Sequence, residues 1–288
     1  NMIIAAITAS VVLGIALDPV KFAIGFAAVA LLWSGLYALN DYTDRKADAQ
    51  HPIKKARAIP SGRVPAKIAL VFAIALILIS LEIGFLLNGP FLFLLCLFIM
   101  LINQVLYTMK PFNFKKRPVL DLVSGSLVNP VFRFFAGWTL FVPNFNAPIL
   151  VIVFIVGLQF GGYGLYRVSS RKHDAEMSYN SSVVKFPERR LRWACYYALF
   201  FAGFSYILLC FNSMLWPMLP VLKELGFWPL RFLILGALSL FSIPLYRPAL
   251  TNPEKSDMKK MYKILYVHNL LFIIGMIILY WTWAAKIF

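Results

Sequence analysis

Long stretches without charge restrict this chain more than any other feature. Apolar runs recur over roughly 2–17, 20–39, 66–87, 90–108, 119–141, 147–166, 192–214, 228–246 and 262–285. Most approach or reach the ~20 residues that cross a bilayer as a helix. Strand-type alternation is absent, and barrel strands would be about ten residues long. Only 14% of the residues are charged, against about 25% in soluble domains. The expected fold is all-α: a multi-pass transmembrane helical bundle of about nine spans, forming a single domain over 1–288. Because the first residue is Asn rather than Met, a truncated start is expected. Cys96, Cys195 and Cys210 lie in or beside apolar runs without a CxxC pair, which argues for small buried hydrophobes and against a disulfide framework.

The charge distribution sets the expected topology. Lys and Arg number seven in 40–67, four in 109–118, seven in 167–192 and five in 247–263, so 23 of 28 fall in four alternate connections. Those connections should share one side of the membrane, and the positive-inside rule makes it the cytoplasmic side of the inner (plasma) membrane. The net charge of +16 could suggest nucleic acid. The basic residues are, however, interrupted by spans, and no nucleic-acid motif occurs. Lipid headgroups and phosphorylated substrates fit better. No feature points to a protein partner.

The first charged connection, Asn40–Gly62, reads NDYTDRKADAQHPIKKARAIPSG. At helical spacing Asp41, Asp44 and Asp48 share a face, with Asn40 beside Asp44. Carboxylates that close repel unless a cation sits among them. Mg2+ suits such a set, being hard, oxygen-seeking and usually shared with substrate phosphates. His51, Lys54, Lys55, Arg57 and Arg63 follow as donors for phosphate oxygens. The alternative is a solvated loop with helix-capping acids.

NDxxDxxxD with an RxIPSG-like tail resembles the UbiA-type intramembrane prenyltransferase superfamily, over nearly the whole chain. The resemblance implies an active-site cavity opening to the cytoplasmic face, Mg2+ as cofactor, and a polyprenyl diphosphate or polyprenyl phosphate lipid as substrate. Asn40, Asp41, Asp44 and Asp48 then become metal ligands, the three aspartates also catalytic. A second aspartate motif belongs near 167–174. Asp174 matches its last position, as a catalytic and metal-binding candidate, but Arg167 and Ser170 stand where other acids are expected. Glu176, two residues on, faces elsewhere on a helix.

The segment Tyr107 to Asp121 looks like the family's tyrosine-to-lysine stretch, which makes Tyr107, Lys110 and Asp121 substrate-binding candidates with Lys54, Arg57, Arg171 and Lys172. At least two of Lys115, Lys116 and Arg117 read better as anchors to lipid headgroups. Arg133, about fifteen residues into a span, needs an acid from another helix or the donor's diphosphate. Asn103, Gln159, His268 and Asn269 either line a cavity or link helices.

Two activities fit the resemblance. The first is prenyl transfer from a polyprenyl diphosphate to a small aromatic or lipid acceptor. The second is phosphoribosyl transfer to polyprenyl phosphate, because HPIKKARAIPSG, Arg133 with Ala136-Gly137, and Lys172 to Glu176 also resemble the decaprenyl-phosphate phosphoribosyltransferase branch. A transporter or lipid-binding protein on the same scaffold is the third reading.

Overall fold

A computed structural model describes residues 1–50, 54–87 and 91–285. Among these no strand occurs. The principal helices are α1 (Met2–Leu13), α2 (Pro19–Asp48), α3 (Ala66–Leu86), α4 (Phe91–Thr108), α5 (Leu120–Val123), α6 (Asn129–Thr139), α7 (Ile149–Ser169), α8 (Arg171–Glu176), α9 (Ser182–Lys185), α10 (Glu188–Leu215), α11 (Ile234–Thr251) and α12 (Met258–Ala284). Seven described segments are long and apolar enough to cross a membrane, as expected of an integral membrane protein: α2, α3, α4, α7, α10, Leu230–Pro248 and Lys263–Ala284. The two other expected spans are shorter or broken. Helix α1 has only twelve residues and stops at Gly14, whose φ of 68° lets its N–H reach Ser10 O. The expected span over 119–141 contains a π turn at Ser124–Val128 between α5 and α6.

Helix α2 starts where Asp18 accepts hydrogen bonds from the Val20 and Lys21 amides, with Pro19 at the first helical position. It then continues past its apolar run to Asp48. The helical spacing assumed for its four polar ligand candidates therefore holds. Gly35, just before them, lets α3 approach: a Cβ there would lie 2.8 Å from Ala73 O.

Helix α6 divides the interior. Phe134 and Trp138 pack with α1, α7 and α10 through Ala5, Phe154 and Tyr206, while Ala136 and Leu140 join Leu32, Leu36, Phe93 and Met100 of α2 and α4. Helices α7 and α10 meet along a seam of small residues. A Cβ on Gly157 would stand 2.5 Å from Ala198 O, closer than a side chain can sit. The last two spans pack less: 17% of the Leu230–Pro248 window and 11% of the Lys263–Ala284 window are buried, against 28–39% elsewhere.

The four basic connections occupy one face of the bundle, joined by a chain of polar contacts. Lys115 binds Asp44, linking the second connection to the first. Lys116 of the second lies over the Tyr179 ring of the third. Arg192 donates to Thr251 O at 2.6 Å, linking the fourth to the third.

Candidate active site

The site lies under that face, where the end of α2 meets the connection after α4 and the segment from α7 to α9. Asn40 Oδ1 accepts from Thr108 Oγ1 of α4 at 2.8 Å, so the amide is fixed. Arg57 Nη1 lies 2.7 Å from Asp41 and 3.3 Å from Asp48. Lys115 pairs with Asp44 and also reaches Thr108 at 3.3 Å. The cations expected among the acids are thus supplied by the chain itself, one from each of two connections.

The anchoring expected of at least two of Lys115, Lys116 and Arg117 does not extend to Lys115. Lys115 is no lipid anchor, because the single turn Phe114–Lys116 bends back beneath α2. Lys110 is exposed at the turn leaving α4. Lys116 lies 4.1 Å over the Tyr179 ring. His51 and the side chain of Lys54 lie outside the described residues.

With Arg57 and Lys115 interposed, no described group of three acidic, histidine or cysteine side chains is gathered closely enough to grip an ion. The donor chemistry still fits Mg2+. Three carboxylates and an amide oxygen end one helix, Asp41 and Asp44 are partly open, and their two cations sit on connections rather than in the helix.

The opposite wall holds the second set of acids, and here α7 contributes a cation in place of an acid. Arg167 Nη2 is 2.6 Å from Asp174 and 3.5 Å from Asp121. Asp121 is 0% and Asp174 3% exposed. Asp174 also accepts from Ser181 Oγ at 2.6 Å, and Asp121 from both the amide (3.0 Å) and hydroxyl of Ser182. Two buried carboxylates share one guanidinium and two serines, an arrangement sealed by hydrogen bonds rather than open to an ion. Tyr107 and Tyr163 meet hydroxyl to hydroxyl at 3.0 Å. Arg171 is half-buried, whereas Lys172 and Glu176 are exposed.

Tyr179 connects the two walls. Burial raises its phenol above the ordinary tyrosine range, with Asp44, Asp174 and Asp48 adding to the shift. Acids from both sets therefore act on one hydroxyl. Sequence reasoning passed over Tyr163, Tyr179, Ser181 and Ser182. No spacing rule brings these residues to the acids.

The sequence leaves Arg133 to an acid of another helix or to the donor's diphosphate. Among the described residues no carboxylate pairs with it. Its guanidinium lies over the Trp33 ring at 4.9 Å, and Nε approaches Asn129 O at 3.4 Å. Asn103 donates to Asn129 Oδ1 at 2.7 Å and to Ser124 O, freed by the π turn, at 3.1 Å, so it links helices. Ser242 Oγ and His268 Nδ1 are hydrogen-bonded at 2.7 Å, joining α11 to α12.

A cleft of about 720 Å3 lies between α1, the start of α2 and the end of α12, lined by Ile3, Ser10, Phe22, Tyr280 and Trp283 among others. Phe22 is nineteen residues before Asp41 on α2, about 28 Å away, so this cleft is not the acidic site.

The chain is similar to digeranylgeranylglyceryl phosphate synthase of Methanothrix thermoacetophila, 32% identical over 112 residues, covering 39% of each chain. It is also similar to decaprenyl-phosphate phosphoribosyltransferase of Corynebacterium glutamicum, 31% identical over 103 residues, 36% of this chain and 30% of that one. The matches thus span about a third of these relatives' length. A UbiA homolog from Archaeoglobus fulgidus, solved bound to DMAPP and Mg2+, superposes with a TM-score of 0.68 at 17% identity, covering 96% of this chain and 93% of the other, a likeness of fold. The family model of the UbiA prenyltransferase family matches residues 1–265, and with the bundle and the Asn40–Asp48 motif in place the chain belongs to that family.

Proposed function

We propose that the chain is a Mg2+-dependent intramembrane transferase that moves a prenyl group from a polyprenyl diphosphate to a small aromatic or lipid acceptor. The observation that carries this reading is the meeting of Asp41, Asp44 and Asp48 with Arg57 and Lys115, acids and cations held together at one membrane border. Asn40, Asp41, Asp44 and Asp48 would hold the ion, which when bound neutralises charge on the departing diphosphate. Arg57 and Lys115 then exchange carboxylates for phosphate oxygens, a short move for side chains on connections. Arg167 stays on the far wall as a fixed cation. Its charge offsets two acids that would otherwise repel the substrate. In this reading Asp121 and Asp174 are positioning residues that hold Arg167. Asp174 is not a ligand of the ion. The apolar helices around the site keep water from the electrophilic carbon.

Phosphoribosyl transfer to polyprenyl phosphate is the second reading. It is favoured by the sealed Asp121–Arg167–Asp174 set, which leaves one metal set, enough for a soluble sugar diphosphate gripped by several cations. The Corynebacterium relative is named for that activity. The test is a donor panel with purified protein, Mg2+ and membrane lipid extract. Label from geranylgeranyl diphosphate is expected to enter the lipid or aromatic acceptor. Label transferred only from phosphoribosyl diphosphate would establish the second reading, and transfer from neither would leave a scaffold without catalysis.

The face carrying the site is proposed to be cytoplasmic, on the inner membrane, from the basic count of its four connections. The native cysteines Cys96, Cys195 and Cys210 are buried, so their background labelling should be low. A cysteine introduced at exposed Ser178 is expected to resist an impermeant maleimide in intact cells and react after lysis. Reaction in intact cells would reverse the orientation.

A further inference from the structure

The connection from α10 to α11, on the face away from the acids, is apolar where a connection in water would be polar. Residues 216–233 hold only three charged side chains, Lys223, Glu224 and Arg231. Met218 is 79% and Val221 71% exposed, with Leu219 and Leu225 exposed beside them. The backbone that carries this patch is fixed. Asn212, buried at the end of α10, donates from Nδ2 to Leu222 O at 2.6 Å and to Gly226 O at 2.7 Å. Trp216 stacks on Phe227 with 5.4 Å between ring centres, and Lys223 Nζ lies 5.4 Å from the Trp216 ring centre. Gly226 turns the chain at a φ of 89°, where a Cβ would stand 2.3 Å from Pro148. A segment held this way cannot fold its apolar side chains inward, so whatever covers them comes from outside.

Position on α10 identifies the cover. The helix has 28 residues, about 42 Å at 1.5 Å per residue. That exceeds the ~30 Å of a hydrocarbon core. With Arg189, Arg190 and Arg192 at its start on the basic face, its last turn reaches the opposite membrane border. Phe204, Ile207, Phe211 and Met214 are exposed along it at three- and four-residue spacing, which on a span is the lipid-facing side. Met218, four residues after Met214, continues the same stripe. The patch is therefore continuous with a surface that lipid already covers. Trp216 and Lys223 at its edge are residue types that settle at the headgroup level.

We propose that residues 214–225 form an interfacial anchor whose partner is the lipid surface itself. The tight turn Pro220–Leu225 does not leave the bilayer for water. It lies in the leaflet opposite the acids, with Met218, Leu219 and Val221 among the acyl chains and Lys223 and Glu224 among the headgroups. Segments that lie in the interface bury their apolar side about 5–10 Å deep in this way. Asn212 ties the turn to α10, and α10 is locked to α7 through Gly157 and Ala198. The anchor thereby sets the height of that helix pair in the bilayer. It needs only a membrane, and holds whichever group the site transfers.

The experiment places nitroxide labels on Met218→Cys, Leu219→Cys, Val221→Cys and Glu224→Cys, one at a time, in protein held singly in phosphatidylcholine nanodiscs. The native cysteines are buried, and the parent protein measures the little label they take. Power saturation then compares oxygen, which concentrates in lipid, with a water-soluble nickel chelate. Oxygen is expected to act severalfold more strongly than nickel at 218, 219 and 221, and the order is expected to reverse at 224. A second measurement uses no label. Hydroxyl radicals made in the water are expected to convert Met218 of the parent protein in discs to its sulfoxide severalfold more slowly than in the free 214–225 peptide. Discs holding two copies test the other occupant, a second protein on the patch, through spin–spin broadening at Met218→Cys. Nickel ahead of oxygen at any of the three apolar positions, oxygen ahead at Glu224→Cys, peptide-like oxidation of Met218, or broadening in two-copy discs would each overturn the proposal.

Discussion

Asp44→Ala is expected to lower turnover about a thousandfold, roughly 4 kcal/mol of transition-state stabilisation, in a protein that stays folded. The side chain is 22% exposed and is ion-paired with Lys115, which comes from a connection. Partly exposed ion pairs of this kind contribute only about 0–1 kcal/mol to stability, so folding should not suffer. Function should, because the substitution removes a ligand from the ion and releases Lys115 from the place where it meets the phosphates. The measurements are turnover with labelled donor and the thermal unfolding midpoint of the same preparation. Normal turnover in folded Asp44→Ala would remove Asp44 from the site. Full turnover of the parent in excess chelator would remove the ion.

Arg167→Met should behave in the opposite way, with stability as the main loss. It strands Asp121 and Asp174, both almost wholly buried, without their shared cation. Removing one partner of a buried ionic group costs about 3–5 kcal/mol, because the remaining charge has no compensation. The unfolding midpoint in detergent should fall accordingly. Adding Asp121→Asn and Asp174→Asn to Arg167→Met removes the stranded charges, and much of the lost stability should return. Activity should stay low in the triple variant, since the fixed cation is gone. Recovery of full turnover with stability would make Arg167 a structural ion-pair member only. An unchanged midpoint in Arg167→Met would show that the cluster is not sealed.

Much of this was legible in the sequence, for reasons that can be traced residue by residue. The ligand candidates of α2 follow from local spacing, which one continuous helix to Asp48 preserves. The common face of the four basic connections follows from a count, and the contacts from Lys115 to Asp44 and from Arg192 to Thr251 bear it out. What spacing could not reveal was partnership between connections. Lys115 outranks Lys110 only because a short turn folds back under α2. Arg167 read as a missing acid, when its guanidinium is the group two acids hold. Arg133 reads as a charge needing an answer, but nothing in the spacing places Trp33, a residue that reads as core, against it. The short α1 and the π turn before α6 also escaped, because hydropathy measures how apolar a segment is and says little about where its backbone stops or bulges.

The thin burial of the last two spans has a consequence for how the bundle breathes. Opening a segment costs free energy in proportion to the contacts it gives up, so local stability is graded across a structure. Helices α7 and α10, locked by glycines against backbone, sit at the high end of that gradient. Helices α11 and α12 sit at the low end, with few buried residues and two prolines, Pro244 and Pro248, inside α11. Among the described residues the Ser242–His268 pair ties them together. Helices α11 and α12 are therefore expected to open at lower cost than α7 and α10, and the end of α12 is one wall of the cleft beside α1.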